Sequence, residues 1–267
     1  MKAYRSKLLV LGILLLALSA CAGPAARRGI APGWSETQRS KIQERSDFWR
    51  SYQATLHVTA ETEKGRVQRL KTLVLAVPPD RFRMEAMSPF GSTVALLLVE
   101  PSGASLWVPS EQALLTAEHA ELLLKQAIGI PLPVAPFAYC LAAAIPPDQL
   151  KGAVVGQQEE GFVLQTEEPR HGWSFSWHFV NGSLALKKLT VRGAEREYSI
   201  TYDPPVEAEV TAVPKRISVA TAEGQIDVKV DQIKSAPSLQ EAAFQVTLPS
   251  SVRRIDLGHG TWKGKDL

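Results

Sequence analysis

Short segments that alternate apolar and polar side chains dominate this chain and most constrain its fold. They recur at residues 52–58, 81–86, 173–179, 198–202 and 226–231. A period of two residues is typical of antiparallel strands with one buried face. Asn181-Gly182, between two such segments, predicts a type I′ hairpin turn. The pattern therefore predicts a large antiparallel sheet.

Helical patterns interrupt the strands at three places. Ser35 is a predicted N-cap for a helix that continues to Trp49, and Thr116 for one that ends before Gly129. A second helix of the insertion is predicted over 137–145, closed by Pro146-Pro147. This order predicts a single α+β domain, residues 35–267, with one large sheet and helices packed on one face.

A sheet with this many strands curls because its strands twist, so its concave face forms a gutter. Trp173, Phe175, Trp177 and Phe179 would make an apolar row on that face. Such a row fits two interpretations, the wall of a hydrophobic cavity or ordinary packing beneath the helices. Periodicity alone does not distinguish a cavity from a filled core.

The N-terminal segment predicts export and a lipid anchor. Basic residues precede an apolar run from Leu8 to Leu18, which is shorter than the roughly 20 residues that span a bilayer. We therefore interpret residues 1–20 as a signal peptide. Leu18-Ser19-Ala20-Cys21 resembles a bacterial lipobox, which makes Cys21 the predicted lipidation site and 21–34 a lipidated tether. The alternative is an ordinary secretory signal with a chance cysteine.

Charge and cysteine content exclude two classes of interpretation. Removing residues 1–20 takes away three basic residues and no acidic one, leaving 27 of each sign. Without a net positive charge or a basic run, we predict no nucleic-acid partner. With Cys21 acylated, Cys140 has no intramolecular partner, so we predict no disulfide and a buried thiol.

No catalytic or metal-binding motif stands out. The sequence contains neither a GxSxG nucleophile elbow nor a GxGxxG motif after a strand. None of the histidines lies at metal-ligand spacing from another; they are His57, His119, His171, His178 and His259. We therefore predict a protein that is not an enzyme, with no metal or cofactor.

One turn carries an unexpected side chain. Residues 88–92 read SPFGS, a Pro/Gly turn of the kind that normally carries polar residues, yet Phe90 lies at its centre. An apolar ring here either projects into solvent or folds back onto the sheet.

Residues 88–146 resemble the LolB family of outer-membrane lipoprotein receptors. The matching features, in order, are the SPFGST turn entering a strand, a short strand pair, the TAEHAE helix start, and the GIPLP segment before a second helix. The resemblance implies an unclosed antiparallel β-barrel, or half-barrel, with a helical lid over a hydrophobic cavity. The flanking strands resemble the family only in pattern.

The resemblance also implies a function. A LolB-like chain is anchored by lipid on the periplasmic face of the outer membrane and takes lipoproteins from a soluble LolA-like carrier. It holds their acyl chains and inserts them into outer-membrane lipid without consuming nucleotide. We expect a monomer whose partners are those acyl chains, the carrier and the lipid. Separately, the residue after the lipobox cysteine is Ala22 and not Asp, which favours the outer membrane by resemblance to enterobacterial lipoproteins that lack an inner-membrane retention signal.

Three groups of site residues follow from this resemblance. The membrane-insertion loop is Pro89, Phe90 and Gly91, in which Phe90 stands where the family commonly has Leu. The expected acyl-binding cavity is lined by Leu56, Val58, Phe82, Met84, Leu96, Leu98, Trp173, Phe175 and Trp177. The expected lid residues are Leu123, Leu124, Ile128, Phe137 and Tyr139.

Two other functions remain open at this point. A structural or interaction lipoprotein of the envelope could use the same fold with a filled core and a protein partner. An envelope hydrolase is supported only by the expected volume of the gutter.

Overall fold

A computed structural model describes residues 35–79, 81–168, 172–180 and 183–258. The predicted signal peptide 1–20, Cys21, the tether 21–34 and the Asn181-Gly182 turn lie outside the described residues. The helices are α1 (Glu36–Phe48), α2 (Ala120–Ile128), α3 (Val134–Leu141) and the short α4 (Pro147–Leu150). No helix among the described residues is both long enough and apolar enough to span a bilayer.

Fourteen strands make up the described sheet. The first six are β1 (Tyr52–Thr62), β2 (Val67–Val77), β3 (Arg81–Met87), β4 (Thr93–Glu100), β5 (Gly103–Val108) and β6 (Ala113–Ala117). After the helices come β7 (Val154–Gln158), β8 (Gly161–Glu168), β9 (Trp173–Val180), β10 (Leu186–Arg192), β11 (Glu197–Val206), β12 (Arg216–Thr221), β13 (Gly224–Ser235) and β14 (Arg253–Asp256).

The strands form one continuous, unclosed sheet. Their order is β14-β6-β5-β4-β3-β2-β1-β13-β12-β11-β10-β9-β8-β7, so β14 and β7 are the two edges. The α+β class and the large unclosed sheet are confirmed. One pairing departs from the antiparallel prediction, because β14 runs parallel to β6, with Arg253 opposite Ala113. This edge strand is only four residues long, and no alternation marks it in the sequence.

Local chemistry explains where the helices begin and end. Ser35 and Gln38 form a reciprocal capping box at the start of α1, as the N-cap prediction required. Gly129, with φ of 79°, ends α2 at the predicted position. The predicted N-cap at Thr116 is wrong, because Thr116 is still paired in β6 and α2 begins at Ala120.

Helix α3 begins earlier than the sequence predicts. It starts at Val134, after Pro133 in the N-cap position, and Pro136 lies in its first turn, where no amide donor is needed. Ala143, with φ of 47°, lies just beyond the end of this helix. The short segment between α2 and α3 is buried, including Ile130 and Leu132.

Two apolar clusters lie on opposite faces of the sheet. The inner face packs with α2 and α3 into the main core, which includes residues of almost every strand. On the outer face, Leu96 and Leu98 pack against Phe244 from the segment that precedes β14. The sheet is therefore covered by helices on one face and, on part of the other, by a short segment that contains the 3₁₀ helix Glu241–Phe244.

Candidate functional site

The inner face brings together most of the residues predicted to line a cavity. Leu56 and Val58 of β1, Phe82 and Met84 of β3, and the three β9 residues all belong to or pack against the main core; the β9 residues are Trp173, Phe175 and Trp177. Strand register explains this, since cross-strand partners share a face.

Leu96 and Leu98 do not belong to this group. In β4, Leu97 lies opposite Met84, whereas Leu96 lies opposite Glu85 and Leu98 opposite Arg83. Leu96 and Leu98 therefore point to the outer face, where they pack with Phe244. The run VALLLV is apolar at every position, so alternation could not indicate which set of side chains faces inward.

The inner face is packed by the protein's own side chains. Trp177 is 0% exposed, Leu56 1% and Phe82 2%, so almost none of their surface is accessible to water. Val58, Met84 and Trp173 are half-buried at the margins of the core. The described structure therefore corresponds to a filled interior around these residues.

Two pockets lie elsewhere, at the corner where α1 meets β9–β11. One is a cavity of about 10 Å³, lined by residues that include Ile42, Phe179 and Leu186, and it has room for about one water molecule. The other is an open groove of about 470 Å³ beside α1, lined by residues that include Lys41, Glu44 and Glu209. None of the residues predicted to bind acyl chains lines either pocket.

The residues predicted to form a lid lie on the two helices that cover the inner face. Leu123, Leu124 and Phe137 are buried in the main core, and Ile128 packs against it half-buried. Tyr139 is half-buried on α3 and is not one of the residues of the main core. Helix α2 contacts β5 and β6, and α3 contacts β3.

Helix α3 is held by buried hydrogen bonds to carbonyls at and just beyond its C-terminal end. The Tyr52 hydroxyl donates to the Ala138 carbonyl at 2.5 Å, and the Tyr202 hydroxyl donates to the Cys140 carbonyl at 3.1 Å. Arg45 of α1 donates to the Ala142 and Ala143 carbonyls at 2.7 and 3.0 Å. These donors satisfy carbonyls that a helix leaves unpaired at its C-terminus.

Burial changes the acidity of these anchoring groups. Desolvation raises the pKa of both Tyr52 and Tyr202 well above the usual value, so both hydroxyls stay protonated and able to donate. Desolvation lowers the pKa of Arg45 to about 10, which still leaves the guanidinium charged at neutral pH. The three donors therefore keep α3 fixed across the physiological range.

Polar contacts from α2 to the sheet are longer. The Gln68 amide donates to the Ala127 carbonyl at 3.4 Å. Arg196, before β11, lies 3.5 Å from Glu121 of α2 and 3.5 Å from Glu223, both of them partly exposed ion pairs. Partly exposed pairs contribute little to stability. Of the two helices, α2 is thus the one with the weaker polar attachment.

Tyr198 lies beside this ion-pair cluster. Its hydroxyl is buried beside the Arg196 side chain, but makes no hydrogen bond of good geometry with any described residue. Burial raises the pKa of Tyr198 to about 12, and the nearby carboxylates of Glu121 and Glu223 act in the same direction, against the Arg196 guanidinium. A buried hydroxyl without a good hydrogen bond destabilises the fold. Hydrogen bonding is therefore less complete around Tyr198 than at the end of α3.

The turn between β3 and β4 holds Phe90 in solvent. Ser88 organises it: its carbonyl accepts from the Gly91 amide at 3.0 Å, and its hydroxyl accepts from the Phe90 and Ser92 amides, each at 3.3 Å. Gly91 adopts a φ of 83°, which favours glycine. Phe90 is 97% exposed, so it does not fold back onto the sheet.

Sequence reasoning missed the anchor of α3. Tyr52 and Tyr202 occupy inward positions of their alternating strands, and a tyrosine at such a position signals a buried hydroxyl that needs an acceptor. Arg45 lies in a strongly polar helix with no clear apolar stripe, so nothing in the sequence indicated that it would be buried. No cluster of three or more metal-ligating side chains occurs among the described residues.

Comparisons with known proteins agree on one family. A family model described as "Outer membrane lipoprotein LolB" matches residues 51–232. Proteins described as "Outer-membrane lipoprotein LolB" match from Thiobacillus denitrificans, 30% identical over 116 residues, and from Cupriavidus pinatubonensis, 31% identical over 137 residues. These matches cover 43% and 50% of this chain. The chain spans 60% and 58% of the length of those two relatives.

Solved structures of low sequence identity share the fold. A LolA superfamily protein from Nitrosomonas europaea is 12% identical, with a TM-score of 0.53, covering 78% of this chain and 97% of that protein. A DUF1329 family protein from Desulfovibrio piger is 8% identical, with a TM-score of 0.53, covering 79% of this chain and 96% of that protein. At these identities the likeness shows the fold alone.

Proposed function

Because this chain belongs to the LolB family of outer membrane lipoproteins, we propose that it binds the acyl chains of other lipoproteins and inserts them into the outer membrane. The proposed role is that of a receptor and carrier, not of an enzyme. We further propose that Cys21 carries the lipid that anchors the chain at the periplasmic face. A soluble LolA-like carrier would be the donor of cargo.

The observation that carries this proposal is the apolar inner face beneath two apolar helices. The proposed acyl-binding residues are Leu56, Val58, Phe82, Met84, Trp173, Phe175 and Trp177. Leu97, which faces inward, replaces Leu96 and Leu98 in this set. If the helices move and expose this apolar surface, it would bind hydrocarbon chains, because binding them removes apolar area from water.

Acyl binding requires the filled interior to open. We propose that α2 acts as the moving lid and α3 as the fixed one, since four buried hydrogen bonds hold the carbonyls at the end of α3, whereas the Gln68 and Arg196 contacts to α2 are longer and partly exposed. Leu123 and Leu124 would leave the core, and the incoming acyl chain would replace their contacts. The exchange of one apolar surface for another keeps the net free-energy change small.

The membrane step is assigned to the turn bearing Phe90. Burying one such side chain in lipid contributes roughly 1.5–3 kcal/mol, too little to anchor a protein but enough for brief insertion. The proposed lipid on Cys21 would keep the turn close to the bilayer, so that insertion recurs at a high effective concentration. Pro89 and Gly91 present the ring and do not themselves bind lipid.

A transfer assay tests this function directly. An acylated lipoprotein held in solution by a LolA-like carrier is mixed with vesicles that contain the full chain, and the lipoprotein that floats with the vesicles is measured. We expect transfer that requires the chain and proceeds without nucleotide. Transfer no faster than to vesicles lacking the chain would overturn the proposal.

The filled interior favours one other candidate. A structural or interaction lipoprotein of the same fold would keep its core closed and use its surface to bind an envelope protein. The near-zero exposure of Leu56 and Trp177 is the observation that supports it. Fluorescence of an apolar dye separates the two, since only an acyl carrier gives a saturable signal that an acylated peptide displaces.

A further inference from the structure

Exposed apolar side chains concentrate at one corner of the sheet. Among the described residues the exposed large hydrophobic side chains are Phe48, Val67, Leu73, Phe90, Val154 and Val213. Val67 and Leu73, 42% and 39% exposed, lie on the outer face of β2, next to the turn that carries Phe90. The β2 residues that pack with the segment covering the outer face are Leu75 and Val77.

Two basic side chains lie between these apolar residues. Val67, Arg69, Lys71 and Leu73 occupy the exposed positions of β2, whereas Thr72 and Val74 are buried. Lys71 is paired opposite Met87, the last residue of β3 before the turn. Arg69 lies about 7 Å farther along the same face, where β2 continues past its last described β3 partner, beside the turn.

The two cations are available to a partner. Neither Arg69 nor Lys71 has an ion pair with any residue that the structure describes. The neighbouring charges are of both signs. His57, opposite Lys71, contacts Asp231 at 2.7 Å, and Thr59, opposite Arg69, has Asp227 as its partner on β13. Glu61, opposite Val67, is the exposed acid nearest to the pair on β1, and Glu85 contacts Arg83.

We propose that the outer face of β2 binds the headgroups of anionic phospholipids while the adjacent turn enters the bilayer. Exposed apolar side chains interleaved with cations are the arrangement that binds a membrane interface, since the apolar groups enter the acyl boundary and the cations meet phosphate. This surface, β2 residues 67–73 with the turn 88–92, is termed the headgroup surface. The inference rests on the proposed function and adds the lipid class and the residues that recognise it.

Anionic lipid gives the turn a preferred orientation. Phe90 alone has no means to distinguish one lipid from another, because hydrocarbon is common to all of them. Arg69 and Lys71 add an attraction that depends on lipid charge and is screened by salt. Delivery would thus be directed to bilayers that expose phosphate groups not neutralised by choline.

The test uses the full chain with an environment-sensitive dye on Thr59→Cys, opposite Arg69. Cys140 is 0% exposed and does not react, and the chain without the substitution, treated alike, gives the background. Vesicles of phosphatidylcholine are compared with vesicles that also contain phosphatidylglycerol. We expect a shift to an apolar environment only with phosphatidylglycerol, reduced by added salt.

Charge reversal provides the matched comparison. Arg69→Glu with Lys71→Glu should weaken the response to phosphatidylglycerol by about tenfold or more. The control is Lys215→Glu with Arg216→Glu, which makes the same change of charge at two exposed residues at the start of β12, three strands from β2. This control should leave the response to phosphatidylglycerol unchanged. An equal response to both lipids, or equal loss in both variants, would overturn the headgroup surface.

This outcome is separable from the proposed function. If cargo transfer continues while the dye shows no preference for phosphatidylglycerol, the headgroup surface is wrong and the receptor role stands. If the dye responds as expected and no cargo is transferred, the headgroup surface stands and the receptor role is wrong.

Discussion

The stability of the fold does not explain why a phenylalanine lies at position 90. At 97% exposure it contributes no packing, and the hydrogen bonds of Ser88 hold the turn whichever side chain stands at position 90. A ring held in water by a rigid turn is unfavourable for the isolated chain. The placement is understandable if the ring is transferred to lipid during function.

The first prediction concerns Phe90→Glu. Because the side chain makes no core contact, the free energy of unfolding should change by no more than about 0.5 kcal/mol, while delivery of cargo to vesicles is lost. Thermal melting and the transfer assay measure the two effects. Phe90→Leu should retain delivery, and Val213→Glu, at another exposed apolar position, should be harmless. Normal delivery by Phe90→Glu would rule out the insertion turn.

The second prediction concerns Tyr198. Its pKa of about 12 in the folded state lies above the ordinary value of 10.0, so the unfolded chain releases this proton first as pH rises. The contribution of this group to stability is therefore present below pH 10 and is lost between about pH 10 and 12.

Tyr198→Phe should accordingly remove part of the alkaline destabilisation. At neutral pH the variant should be at least as stable as the parent, since the deleted hydroxyl makes no hydrogen bond of good geometry with any described residue. Urea unfolding at a series of pH values measures both effects. Parallel stability curves for the two proteins between pH 10 and 12 would contradict this assignment.

At the scale of the elements, the two helices over the inner face differ in how they are attached. Helix α3 is tied to α1 and to β1 and β11 through Arg45, Tyr52 and Tyr202. Helix α2 depends on apolar contacts and on weak polar ones. This difference in attachment is the basis for the proposal that α3 is a fixed wall and α2 the element that moves.

The third prediction concerns Arg45→Met. Removing the guanidinium leaves the Ala142 and Ala143 carbonyls unpaired in the interior, which should lower the free energy of unfolding by roughly 2–4 kcal/mol. Arg50→Met is the matched control. Arg50 follows α1 by two residues, and its exposed guanidinium makes only a surface ion pair, so its removal should have little effect on the free energy of unfolding. Urea unfolding compares the two; equal losses of stability would show that Arg45 is not an anchor.

The elements that sequence reasoning could predict are those with a clear period. Alternation identified β1, β3, β9, β11 and β13, and Ser35 and Gly129 marked helix ends by side-chain and backbone chemistry. The uniformly apolar β4 has no period, which is why Leu96 and Leu98 were assigned to the wrong face. The parallel β14 depends on long-range pairing with β6, and no local signal indicates it.

The residues that form the candidate site could be predicted from the sequence, but whether the site is open or filled could not. The inward residues of β1, β3 and β9 were identified because alternation selects them, and their gathering into one core follows from strand register. Whether that core is open or filled depends on how closely α2 and α3 pack, which no local pattern records. The exposure of Phe90 likewise depends on the hydrogen bonds of Ser88.

At the scale of the whole molecule, the proposed function is an exchange between two states of one apolar surface. In the described structure the protein's own helices cover the inner face of the sheet. In the proposed acyl-bound state, hydrocarbon would take the place of α2 side chains, and the chain would return to the closed state after release into lipid. Cycling requires the two states to be close in free energy, so that neither the empty nor the loaded form is trapped.

The fourth prediction tests that exchange through the ligand itself. The full chain is extracted from membranes in mild detergent and its mass is measured under native conditions, before and after addition of a triacylated peptide. We predict a non-covalent complex with one peptide that dissociates on transfer to vesicles. If only the mass of the chain without bound peptide is measured at every peptide concentration, the result would contradict acyl binding by the inner face.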